Sequence, residues 1–329
     1  MRPRGLSSLH AFILQDLRKG GQITNPRVSV CMIAYNVGQF IGDAIEGVLN
    51  QEADFAIELV ISNDSSTDNT EEVILWFLHH HANGNWIKYK RQEKNLGSTL
   101  NYLWALENCQ GDYIAICDGD DYWTDNRKIQ RQVDFLASNP EYIGSYHNRL
   151  RVDAGGAILS NSIQEKEQQC WSFHEMISTM PEIPSASVTF RKPPNFKLPM
   201  EFEKVVVNGD TFLWAYVLQF GDFYFDETIG PSVYRIHPQG IWSSKSSYKK
   251  SKLSLNTYKL LNTAFPGNRC VKSQIFNIRF HLFYYAVKER KWIAAIGYYF
   301  SNLFGLFFFP GGVKVFKDFH KSILFKLKR

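Results

Sequence analysis

The stretch "YIAICDGDDYW", residues 113 to 123, ends an apolar run in three carboxylates, Asp118, Asp120 and Asp121. Side chains two apart on an extended segment point the same way. The spacing therefore predicts that Asp118 and Asp120 present oxygens to one point, with Asp121 behind them. Carboxylates held that close repel one another unless a cation lies between them. Hard oxygen ligands suit Mg²⁺ or Mn²⁺, ions that commonly share their shell with substrate phosphates. Asp and Gly are also ordinary turn residues, so the D-x-D pattern alone leaves a turn and a metal site both open.

Hydrophobic periodicity supplies the elements that would position these acids. Residues 28 to 34, 58 to 62, "WIKYKR" and "DYIAICD" read as strands. Between them "VGQFIGDAIEGVLNQ" has helical spacing, with Phe40, Ile41, Ala44, Ile45, Val48 and Leu49 on one face, and "TEEVILWFLHHH" and "NLGSTLNYLWALENC" also read as helical. The order βαβαβαβ implies an α/β fold with a mostly parallel sheet and right-handed crossovers. The acidic and polar clusters all follow strand C-termini, where open α/β sheets bind ligands. Asp64, Asp118, Asp120 and the Ala34-Tyr35-Asn36 loop should thus converge on one crevice. No G-x-G-x-x-G or G-x-x-x-x-G-K-[ST] occurs, so a nucleotide bound here would have its phosphates handled by a metal and not by a glycine-rich cradle.

Further along, "EKVVVNGDTFLWAYVLQFG" reads as a strand-like run meeting Asn208-Gly209-Asp210 and then a helix. Asp210 fits two roles: an N-cap, or a carboxylate that takes a proton from a reacting hydroxyl. In "YRIHPQGIWS", His237 follows a strand-like run with Arg235 two before it on the same side. An imidazole can ligate a metal, and a guanidinium pairs with phosphate oxygens. Trp242 suits a lid aromatic or ordinary packing.

The chain of 329 residues is long enough for one large domain, or one plus an appendage. Its five cysteines are widely spaced and odd in number, with no C-x-x-C. That argues against a disulfide framework or a zinc site and favours a reducing compartment. Residues 1–25 are basic, with Leu6, Leu9, Phe12, Ile13 and Leu17 at helical spacing, and lack the continuous apolar core of a signal peptide. The net charge of +5 is concentrated at one end: residues 288–329 carry nine Lys and Arg against Glu289 and Asp318, leaving the rest slightly acidic. Nucleic acid is therefore not the expected partner of the main body. Residues 251–290 read as two helices broken at Pro266-Gly267, followed by an uncharged aromatic run, 292 to 309, that is short for a membrane span. After Pro310-Gly311-Gly312, an amphipathic stretch places Val313, Phe316, Phe319, Ile323 and Leu327 on one face and lysines on the other. The pattern predicts attachment to the cytoplasmic face of the cell membrane, peripheral, re-entrant or by a single span. A helix packed on the main domain is the alternative.

Taken in order, "VSVCMIAYN", "ELVISNDSSTDNT", "NLGSTLNY", "GDYIAICDGDDYW", "VNGDTFLW" and "YRIHPQGIWS" resemble the family 2 glycosyltransferases of the GT-A fold, of the bacterial surface-polysaccharide type, over roughly residues 26 to 245. The resemblance implies a GT-A catalytic domain over residues 26–250, after the 1–25 extension and before a helical, membrane-associating region at 251–329. It implies a nucleotide-diphosphate sugar donor, Mg²⁺ or Mn²⁺, inversion at the anomeric carbon, and a glycan or lipid-linked glycan acceptor. Carried over, Ala34, Tyr35, Asn36, Asp64, Asn95, Asp118, Arg235 and Trp242 would bind the donor. Asp118, Asp120 and His237 would hold the metal, with Asp120 the direct ligand, and Asp210 would be the base. Two positions depart from the family pattern: Asn63-Asp64 stands where two acids are usual, and Ser65 where glycine is usual. A nucleotidyltransferase of related fold is the alternative enzyme, but "AYNVGQF" lacks the glycine- and lysine-rich phosphate loop it would want. The intact set Asp118, Asp120, Asp210 and His237 argues against an inactive sugar-nucleotide-binding module.

Overall fold

The computed structural model describes residues 26–159, 168–240, 242 and 245–306. The basic 1–25 segment and the amphipathic stretch at 313–329 lie outside the described residues. The first strands are β1 (Val28–Ala34), β2 (Ile57–Asn63), β3 (Ile87–Arg91) and β4 (Tyr113–Ile116), separated by α1 (Ile41–Leu49), α2 (Thr70–His80) and α3 (Ser98–Glu107). Then come α4 (Lys128–Ser138), β5 (Tyr142–Tyr146), β6 (Arg149–Asp153), β7 (Cys170–Trp171), α5 (Phe173–Thr179) and β8 (Thr189–Arg191). α6 (Gly209–Val217), β9 (Asp222–Phe225), β10 (Ser232–Ile236), α7 (Ser247–Ala264), α8 (Arg269–Lys288) and α9 (Trp292–Leu306) complete the order.

Eight strands form one sheet in the order β3-β2-β1-β4-β8-β5-β9-β7, and β10 pairs with β6 in a small second sheet. β3, β2, β1 and β4 run parallel, as the βαβαβαβ pattern requires. β8 enters antiparallel between β4 and β5, which makes the sheet mixed. Alternation divides the core between the two sheet faces. Val30, Met32, Leu59, Ile61 and Ala115 pack with α1, α2 and α4, whereas Cys31, Val60, Ile114 and Ile116 pack with α3, α5, α6, α7 and α8. α1 shows why its segment is helical: Ile41, Ala44, Ile45, Val48 and Leu49 fall on one buried stripe.

Two local expectations are corrected. The run 203–207 is not a strand. Phe202–Lys204 form a 3₁₀ turn, Val206 points to solvent, and side-chain hydroxyls satisfy the following backbone: Thr99 donates to Val205 O and Thr257 to Val207 O. Asp118 and Asp120 are not on an extended segment either, because β4 ends at Ile116 and Asp121 N–H closes a turn onto Asp118 O. The helix break at Pro266-Gly267 is where it was expected, with Gly267 at φ 86° between α7 and α8.

Candidate active site

Ala34 is paired with Asn63 and Cys31 with Ile116, so β1, β2 and β4 reach the same edge of the sheet together. The loops that follow them line this edge of the sheet, and those after β1 and β2 make the first wall of the candidate site. On that wall, Asn36 at φ 52° accepts from Thr67 N–H at 2.8 Å, and its own N–H donates to Ser66 Oγ. Asp64 is buried; its carboxylate accepts from Leu96 N–H at 2.6 Å and from Gly97 N–H at 3.0 Å. Asn95 donates its amide to Asp64 O at 3.3 Å. Asp64 thus fixes the loop entering α3, and the exposed ring of Tyr35 is left as the open aromatic surface of this wall. Asn63 and Ser65 account for the two departures in sequence. Asn63 is fully buried and bonds Ser66 N–H and Tyr89, a neutral structural role, while Ser65 takes the φ of 60° that glycine adopts most readily.

The opposite wall is the acidic turn. Gly119 N–H donates to Ile33 O, and a Cβ there would stand 3.0 Å from that oxygen, so glycine lets the turn lie directly on β1. Asp121 does lie behind the pair: it accepts from Arg235 N–H at 3.0 Å, and a bridge between Tyr122 and Val233 ties the turn to β10. Asp118 Oδ1 is buried with no partner among the described residues. Burial, then the charges of Asp120 and Asp210, push the Asp118 carboxyl up to about 8. Burial followed by Asp120 also raises Asp121 well above the usual range.

His237 is buried and meets Asp120 Oδ2 at 3.0 Å through Nε2 and Gln239 Oε1 at 3.1 Å through Nδ1. The hydrogen bond to Asp120 raises its pKa. Asp120 and His237, expected to share a metal ion, are in direct contact as an acid–imidazole pair. Arg235 is turned elsewhere: its guanidinium pairs with Asp43 on α1 at 2.7 Å, between the rings of Phe40 and Tyr122. Trp242 stacks with Lys250 at 5.3 Å.

Asp210 lies in the first turn of α6 and is not its cap. Asn208, at φ 65°, holds the cap position and makes no side-chain cap bond. Asp210 Oδ1 accepts from Thr211 N–H at 2.7 Å, and Oδ2 stands 3.5 Å from Ser185 Oγ. Burial raises its pKa, the direction a general base at neutral pH needs. Asp118 and Asp210 are close enough to influence each other, and both act on the buried, unpartnered hydroxyl of Tyr102. Sequence reading passed over Tyr102, Ser185 and Asp43. Tyr102 sat among ordinary apolar positions of α3, and Asp43 becomes meaningful only beside Arg235, 192 residues away.

Among the described residues no three His, Cys, Asp or Glu side chains are grouped to hold one ion. The donor types nevertheless suit a hard divalent cation: Asp120 of the acidic turn meets the His237 imidazole, and Asp118 of the same turn keeps a buried oxygen with no partner among the described residues.

Residues 29–191 match the family described as glycosyl transferase family 2. That stretch is a glycosyl transferase family 2 domain. A relative in Mycobacterium tuberculosis, an uncharacterized protein, is 28% identical over 218 residues, covering 66% of this chain; the chain spans 61% of that relative's length. Two solved structures share the fold. A mannosyltransferase from Pyrobaculum calidifontis, in complex with GDP-Man and Mn²⁺, has a TM-score of 0.53 at 13% identity, covering 83% of this chain and 79% of its own. Staphylococcus aureus TarS residues 1–349, in complex with UDP-GlcNAc, has a TM-score of 0.52 at 16% identity, covering 78% and 80%. The likeness is one of fold: the chain has the GT-A fold, with C-terminal helices added to the mixed sheet.

Proposed function

We propose that this glycosyltransferase moves a sugar from a nucleotide-diphosphate donor to a hydroxyl of a lipid-linked glycan, with inversion at the anomeric carbon. The observation that carries this reading is the unpartnered oxygen of Asp118, buried between Asp120 and Asp210 at the C-terminal edge of the parallel strands. Asp118 and Asp120, with His237 in reach, would hold Mg²⁺ or Mn²⁺, which would supply positive charge to a departing diphosphate. Tyr35 and the loop held by Asp64 and Asn95 receive the nucleoside. Asp210 takes the proton of the acceptor hydroxyl as its oxygen attacks the anomeric carbon on the face opposite the leaving diphosphate. One displacement forms the new glycosidic bond and breaks the old one, with no covalent enzyme intermediate. The donors in the two solved relatives support the substrate class.

Thermal-shift measurements with UDP, GDP and dTDP sugars in Mn²⁺ test the proposal. At least one donor should raise the melting temperature, and EDTA should remove the effect. Asp120→Ala should do the same and lower turnover by about 10³-fold. Donor stabilisation undiminished in EDTA would overturn the metal assignment.

A further inference from the structure

We propose that the outward face of α9 docks on an anionic lipid bilayer and holds the mouth of the crevice against it. α9 runs for 15 residues, Trp292–Leu306, without one charged side chain. Ala295 and Asn302 are buried, whereas Trp292, Ile293, Ile296 and Phe300 are exposed. At about 100° per residue, Ile293, Ile296 and Phe300 fall within roughly 60° of one another, and Ala295 and Asn302 lie opposite. The buried side packs on α8, where Phe283 meets Tyr299 at 5.8 Å and Lys291 N–H closes onto Ala286 O. Single exposed apolar residues are common on protein surfaces, but a contiguous stripe of large ones needs a covering partner.

Charge identifies that partner. Lys288, Arg290 and Lys291 stand at the entry to α9 against Glu289, which pairs with Lys291 at 2.6 Å, and the sequence beyond it holds six more Lys and Arg against Asp318, while the body of the chain is slightly acidic. A second copy would bring like charges together, whereas phosphate headgroups beside acyl chains match both the basic rim and the apolar stripe. Trp292, at the basic end, suits the headgroup boundary. Among the described residues no helix is long and apolar enough to cross a membrane; the exposed stripe along one side of α9 suits a helix lying in the plane of the interface. Lys291 stacks on Tyr248 at 4.1 Å in the first turn of α7, and Lys250 stacks on Trp242. These contacts tie the entry to α9 to the segment that follows His237. That last step rests on the lipid-linked acceptor reading; docking itself does not.

The test uses the full chain and flotation with vesicles of phosphatidylcholine, alone or mixed with phosphatidylglycerol. Wild type should float with the anionic vesicles. The exposed-face double variant Ile293→Glu/Phe300→Glu should float about tenfold less, with melting temperature and hydrolysis of the donor unchanged. Flotation of the variant equal to wild type would overturn the proposal. So would wild type failing to float, or a concentration-dependent dimer that the variant abolishes. Wild type that floats but neither hydrolyses nor transfers from any donor would sink the transferase reading and leave the docking surface standing.

Discussion

On the wall built from β1 and β2, acids are matched by hydrogen-bond donors. Asp64 gives both carboxylate oxygens to backbone N–H groups. Asp68, despite the cost of burial, is held below the usual carboxylate range by bonds from Thr70 and Gly38. On the wall built from β4 and β10, acids face acids: Asp118, Asp120 and Asp121 crowd one turn, and Asp118 keeps a buried oxygen unpaired. The difference separates scaffold from reaction centre. A wall whose charges are already satisfied gains rigidity and shape. A wall whose buried charges are unsatisfied is costly alone and becomes favourable when a ligand brings opposite charge.

After Asp120, the largest effect should come from Asp210, whose carboxylate is bonded like the scaffold acids yet raised by burial like those of the acidic turn. Asp210→Asn keeps an oxygen for Thr211 N–H but cannot accept a proton. Turnover should fall by about 10²-fold or more, with the melting temperature nearly unmoved. Near-normal turnover in a steady-state assay would assign Asp210 to the scaffold.

Asp64→Ala should behave in the opposite way. It removes two hydrogen bonds from part-buried backbone N–H groups and should cost about 2 kcal/mol of stability. The melting temperature should drop by several degrees, and donor KM should rise because the loop at Asn95 is freed. A variant of unchanged melting temperature would show that the loop is held elsewhere.

The acidic wall also predicts a pH dependence in metal-free protein. Asp118 in the folded chain titrates near 8, far above its unfolded value. Between those two values the folded state keeps a proton that the unfolded state has lost. Stability is therefore greatest at low pH and declines as pH rises toward 8, by up to about 1.4 kcal/mol per pH unit from this group. Chemical denaturation in EDTA at several pH values should show the decline, and Asp118→Asn should flatten it. Adding Mn²⁺ should stabilise wild type more at pH 8 than at pH 6, because the cation competes with the proton.

The contrast between the walls was only partly visible in the sequence. Apolar runs ending in polar loops were enough for the parallel strands and for the edge on which Asp64, Asp118 and Asp120 meet, since each depends on local periodicity. Asp121 behind the pair was also legible, although the turn that puts it there was read as extended chain. The antiparallel entry of β8 was not legible, because three residues carry no period. Val205 to Val207 looked like a strand because propensity records β-branching and not whether a neighbouring strand is available. Arg235 looked free for phosphate because its partner Asp43 lies on α1, 192 residues away in sequence. The unpartnered Tyr102 hydroxyl needed the packed core to be seen at all.

The smallest effect concerns Ser65, where the scaffold wall itself carries strain. Its φ of 60° is left-handed, a region that costs a residue with a Cβ about 1 to 2 kcal/mol. Ser65→Gly removes that cost but adds backbone entropy to the unfolded chain, roughly 0.5 to 1 kcal/mol. The balance should be a stabilisation of about 0.5 kcal/mol, or 1 to 2 °C in melting temperature. If the strain belongs only to the scaffold, the gain should be equal with and without donor, and donor affinity should stay within about twofold. A gain seen only in the free protein, with donor affinity lowered, would mean that the strained loop relaxes on the nucleotide. The wall whose charges are satisfied would then also be part of the reaction centre.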